Sequence, residues 1–363
     1  MSIVLTAESE ALCDHVATLN DKEKTPHAHR PHYARIFHLL APFQSPPQTL
    51  HVRTKEAGAV DDHIPAPLSF ASSKMRTAVV VEAHVAGRAI TLEVRGLAAK
   101  NATSMFDMML AWLKVALPCA GPTCCRTLHV VVYATRLSKR LPSSKQEVIG
   151  RQHVNSAFTT TCPVDGRIVI FRREEWFKVF LHETFHCFGF DFSHGQSSAT
   201  ASAMERLFAV ESNHALFEAY AEVWARILNA AIFLVKSGTN AQSFSRAMPA
   251  LLQLEAAFAC SQAKKVLAHN SLTFDNLLSL GPASSRYREG TNVLQYYVIT
   301  AALLANADAV VKAAPAKCPF RIRSEAAFVR LVEHVMTDDR TKAFIDRPLR
   351  VPDAGLKMAL LEY

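Results

Sequence analysis

"FLHETFHCFGFDFSH", residues 180–194, contains a His-Glu-x-x-His string whose meaning depends on the backbone that carries it. The flanking residues decide that. "EEWFKVFLHETFHCFGF", residues 174–190, has apolar residues at helical spacing, opens with two glutamates suited to a helix N-terminus, and meets Gly189 where a stop is expected. On a helix, residues four apart lie on one face, so His182 and His186 are expected to present two imidazole nitrogens to a single ion.

Before the string the pattern is β-rich. "RTAVVVEAHVAGRAITLEVRG" reads as a hairpin turning at Ala86-Gly87, and "NATSMFDMMLAWLKVAL" as a helix opened by a polar cap at Asn101 or Thr103. "RTLHVVVYAT" is expected as a buried strand, with "HVNSAFTTT" and "GRIVIFR" as two short ones. After residue 200 the patterns are helical, as in "NHALFEAYAEVWARILNAAIFLVKSG". Residues 1–70, broken by "APFQSPPQTL" and "DDHIPAPLS", are expected to be a partly irregular N-terminal extension. The expected fold class is α+β over residues 71–363, β-rich in 71–172 and helical in 173–363, with a site between the halves.

Two histidines do not complete a catalytic metal site, which takes three protein ligands and one open position for water. Glu183 can reach such a water as general base. For the third ligand the extended pattern HExxHxxGxxH matches at Gly189, but its last position is Phe192, with Asp191 and His194 close by. A downstream helix offers Glu218, with His214 one turn before it and Glu222 one turn after. Glu222 is placed to hydrogen-bond the far nitrogen of a metal-bound histidine.

"HETFH" together with "FEAYAE" resembles the gluzincin branch of the zincin metallopeptidases, which hold zinc by HExxH on one helix and a Glu on the next. The resemblance covers about forty residues, from His182 to Glu222. It implies Zn2+ on His182, His186 and Glu218, catalysis by Glu183, support from Glu222, and a peptide or protein substrate. Two departures stand out: 31 residues separate His186 from Glu218, and Phe217 replaces the family's usual Asn before the ligand. Zincins also bind substrate backbone along an edge strand, for which Asn155, Ser156 and Ala157 are candidates. Oxyanion donors are sought among Tyr287, Arg288, Tyr296 and Tyr297, with Tyr296 preferred. "GTNVLQYY" half resembles an aspzincin signature, but Val293 stands where that family has its ligand Asp. "HETFHCFGFDFS" also resembles zincin-like proteins of large DNA viruses.

Composition bounds these readings. The chain has 363 residues, half of them hydrophobic, and can bury a substantial core. Its net charge of +8 is mild, and its basic segments, 136–151 among them, lack interleaved aromatics and are expected as solvated loops, so nucleic acid is not an expected partner. The longest apolar run is interrupted by Gln295, Asn306 and Asp308, so no membrane span is expected. With no secretory signal evident, the expected location is intracellular: cytoplasmic or, for a viral protein, the host cytoplasm or virion. Eight cysteines in such a chain are expected as thiols, and "PCAGPTCC" has only half of a structural zinc motif. The second reading is a catalytically inactive zincin scaffold serving in binding or assembly.

Overall fold

The computed structural model describes residues 31–46, 48–278, 284–347 and 355–363. Helix α1 (Pro31–Leu39) precedes strand β1 (Arg53–Glu56) and helix α2 (Ala66–Ser73). The hairpin falls where expected: β2 (Thr77–Val85) pairs antiparallel with β3 (Arg88–Arg95), and both turn residues have positive φ, 50° at Ala86 and 76° at Gly87. That turn geometry matches the twist of the two strands.

Helix α3 (Ala99–Ala116) crosses over to β4 (Thr127–Tyr133), which lies parallel to β3. It begins before the expected polar caps. Ala98 stands at its N-cap with no side-chain bond, and Thr103 bonds back to the carbonyl of Ala99 inside the helix. Next come a short strand β5 (Ile149–Gly150), one helical turn α4 (Arg151–Val154), β6 (Ala157–Thr159) and β7 (Asp165–Ile170). The six-stranded mixed sheet has the order β1-β2-β3-β4-β7-β6, which leaves β6 at its edge. "HVNSAFTTT" therefore supplies only three strand residues, after the turn of helix.

Alternation along the strands fills two layers. Leu128, Val130 and Val132 face the main core with α3, while Val131 and Tyr133 pack on the other face with Ile64 and Leu68. The motif helix α5 (Trp176–Phe188) lies in the main core, followed by α6 (Ser198–Leu207), α7 (Leu216–Lys236) and the long α8 (Ala241–His269). Strand β8 (Glu289–Gly290) pairs with β5, and α9 (Thr300–Ala305), α10 (Ala307–Lys312), α11 (Glu325–Thr337) and α12 (Asp339–Asp346) complete the helical half. The α+β class, with a mixed sheet first and helices after, is thus observed.

Three expectations change. The lead-in is structural from residue 31 onward: Tyr33, Ile36, Phe37 and Leu40 belong to the main core, because α1 carries an apolar face that packs on α8. Residues 1–30 lie outside the described part. Four cysteines are not thiols, since Cys119 is bonded to Cys318 and Cys124 to Cys162, so "PCAGPTCC" is a disulfide junction and not half of a metal site. Finally, the basic stretch 136–151 is not wholly a solvated loop, because Lys139 is 1% exposed and paired with the buried carboxylate of Glu175.

Glu93 on β3 carries a testable charge balance. Burial works against its ionised form, yet the nearby His129, 3.6 Å away, and ion pairs with Arg95 and Lys55 bring its pKa down from 4.5 to about 2. A carboxyl lowered on folding stabilises the protein above its unfolded pKa, and that contribution disappears as pH falls toward the folded value. Glu93→Gln is expected to remove on the order of 1–2 kcal/mol of pH-dependent stability between about pH 5 and pH 2, allowing for solvent screening. Urea unfolding of both proteins across that window measures it.

Candidate metal centre

The motif string is helical, as its period requires, and α5 ends at Gly189 with φ 66°, where the amides of Gly189 and Phe190 close on the carbonyls of His186 and Phe185. Glu174 and Glu175 do not cap its start. Glu175 stands at the N-cap with φ 55° and spends its carboxylate on Lys139 and on the backbone amides of Met358 and Ala359. Phe177, Phe180, Phe185 and Phe188 fix the helix in the core, and Trp112 Nε1 of α3 donates to Thr184 Oγ1 at 3.0 Å.

Helix α7 packs against α5 and brings Glu218 to the two histidines. The Nε2 atoms of His182 and His186 are 3.2 Å apart, and Glu218 Oε2 lies 3.2 Å from the first and 3.3 Å from the second. For a tetrahedral ion with bonds near 2.0–2.1 Å, ligand atoms stand roughly 3.3 Å apart. These three residues could therefore hold a metal ion.

The far nitrogens are also engaged. His182 Nδ1 donates to Glu222 Oε2 at 2.9 Å, and His186 Nδ1 donates to Asp191 Oδ2 at 2.5 Å, so that each ring, when neutral, turns its Nε2 lone pair to the shared position. Asp191 is held in turn by the Ser193 amide and hydroxyl, at 2.9 and 2.6 Å. Both carboxylate oxygens of Glu222 also accept from Lys178 Nζ, at 2.9 and 3.1 Å. Glu218 Oε1 accepts from Asn292 Nδ2 at 3.1 Å.

Four carboxylates and one ammonium thus surround two imidazoles in a buried site, a donor set that draws positive charge. Burial opposes protonation of His186, but Asp191 and Glu218 outweigh it and lift its pKa well above the ordinary value. Burial also pushes the Glu183 carboxyl up, against the pull of His182 and His186. A raised carboxyl suits proton transfer near neutral pH.

Glu183 lines a cleft with His182, Tyr296, Val179, Met358 and the β6 approach residues Asn155, Ser156 and Ala157. Tyr296 sits edge-on to His182, ring centres 5.9 Å apart, on a π-helical turn (Leu294–Ile299). The other donor candidates lie elsewhere: Tyr297 donates to Leu356 O, Tyr287 to Glu289, and Arg288 is exposed.

Among the remaining third-ligand candidates, Asp191 faces the far side of His186, His194 is exposed, and His214 is turned away against Phe208. Three residues of the site were missed in the sequence. Lys178 sits one turn before His182 on the same face, a spacing that could have flagged it. Asn292 lies inside "GTNVLQYY", immediately before Val293, which stands where an aspzincin has its ligand Asp. Met358 arrives from a distant segment with no local signal. No protein-family model matches the chain, and comparison with curated proteins and with solved structures returned no match. No helix among the described residues is long and apolar enough to cross a membrane.

Proposed function

We propose that the chain is a zinc-dependent metallopeptidase, hydrolysing peptide bonds by a metal-activated water. The observation that carries this reading is the convergence of His182 Nε2, His186 Nε2 and Glu218 Oε2, 3.2–3.3 Å from one another, beside the buried carboxyl of Glu183. Two nitrogens and one oxygen at this spacing are ligands suited to zinc. When bound, zinc would act as a Lewis acid and lower the pKa of a water to about 7. Glu183 takes the proton of the attacking water and passes it to the departing amine. Tyr296 supplies a hydroxyl donor to the developing oxyanion. The free edge of β6 accepts the substrate backbone as an added strand.

Metal analysis of the wild type beside His186→Ala and Glu218→Ala tests the centre. About one zinc per chain is expected in the wild type, and loss from both variants. A wild type that stays metal-free after zinc is supplied overturns the reading.

Asn292 provides a finer test. Its amide holds Glu218 Oε1, so that Oε2 alone faces the histidines. Asn292→Ala is expected to weaken zinc binding about tenfold in a chelator competition, the low end for loss of a ligand-supporting bond.

A further inference from the structure

Cys125 and Cys187 stand apart from the proposed chemistry. Both are fully buried and unbonded, yet their sulfurs are 3.0 Å apart, and Cys125 Sγ lies 3.1 Å from the carbonyl oxygen of Cys187. The Cys124–Cys162 disulfide is one residue away in sequence, and the Cys162 amide donates to the carbonyl of His186. Four cysteines therefore meet where the C-terminal end of α5 touches the start of β4.

Two further observations mark the pair as built. Cys125 and Cys162 have positive φ, 53° and 42°, a conformation that costs energy for any residue but glycine and persists only where the surroundings impose it. Opposite them, Gly166 leaves space for the sulfur: a Cβ there would come within 2.5 Å of Cys125 Sγ. We infer that Cys125 and Cys187 are the site of a third disulfide, formed as the chain folds in an oxidising compartment.

The oxidant is itself a disulfide, such as glutathione disulfide or a thiol oxidoreductase. One cysteine sulfur loses its proton and attacks that disulfide, expelling one thiol. The other cysteine sulfur attacks the mixed disulfide and expels the second thiol. Two cysteines are oxidised, one disulfide is reduced, and two protons pass to the departing thiols. Because both sulfurs are inaccessible in the folded protein, the bond has to close during folding. Two existing disulfides already fit such a compartment, contrary to the intracellular expectation. Once closed, the bond ties the residue after His186 to the sheet.

The test is independent of zinc and of peptidase activity. The reduced, denatured full chain is refolded in a glutathione redox buffer, trapped with a maleimide under denaturing conditions, digested with trypsin without reduction and mapped by mass spectrometry. Cys119, Cys124 and Cys125 share the peptide 115–126, and Cys187 lies in 179–206. The expected result is 179–206 joined to 115–126, with Cys260, buried and free, carrying the maleimide. In Cys187→Ser, Cys125 should take up the label while the other two bonds stay closed. Folded, reduced protein given glutathione disulfide should close the bond at least about tenfold more slowly than refolding protein, as buried thiols do. Maleimide on both Cys125 and Cys187 while the other bonds are closed overturns the inference, and so does label on every cysteine.

Discussion

Glu183→Gln is expected to keep about one zinc per chain and to lose peptide cleavage by roughly 10²–10⁴-fold, the usual contribution of a positioned acid–base group. The amide is nearly isosteric with the carboxyl and is not a ligand, so the three donor atoms stay where they are. It cannot accept a proton from water. The two measurements separate the possibilities: zinc content reads the site, and turnover of a quenched-fluorescence peptide library reads the chemistry. Undiminished cleavage by the variant would remove Glu183 from the mechanism. An inactive wild type that binds zinc would favour the scaffold reading, in which the metal is structural.

Glu222→Ala is expected to produce a second large effect, on both metal affinity and stability. Glu222 is 1% exposed and joins Lys178, 2% exposed, to His182. Removing it leaves a buried ammonium without its partner, at a cost of about 3–5 kcal/mol. It also frees the His182 ring, which should weaken zinc binding about 10–100-fold. The double variant Lys178→Met/Glu222→Leu separates the two roles. With both charges gone, denaturant unfolding should show most of the stability recovered, because apolar groups of similar size fill a buried ion-pair site well. Chelator competition should still show weak zinc binding. If zinc affinity returns together with stability, Glu222 acts on the fold and not on the histidine.

The candidate site was legible wherever its parts repeat at a local period. His182 and His186 lie four apart on a helix whose stop, Gly189, is visible in the string, and Glu218 and Glu222 share a face for the same reason. In the string Asp191 stands only beside the last position of the extended pattern. Its bond to His186 depends on the αL turn at Gly189, which swings the following residues back beneath the ring. The zincin resemblance points to an edge strand at Asn155, Ser156 and Ala157; of these only Ala157 lies on the edge strand β6, which is shorter than its β-branched run predicts.

By itself the sequence determined the α+β order, the hairpin at Ala86-Gly87, the helical setting of the motif and the face-sharing of His182 with His186 and of Glu218 with Glu222. These depend on interactions within a few residues, where 2.0 and 3.6 periodicities are set by backbone geometry. Only the tertiary structure decided that Glu218, and not Asp191, His194 or His214, comes within 3.3 Å of both histidines, that Asp191 supports His186, and that Lys178, Asn292 and Met358 close the site. It also decided how the cysteines pair, joining Cys119 to Cys318 across 199 positions. Such contacts are made by packing elements distant in the chain, and no local pattern encodes which distant atom will arrive.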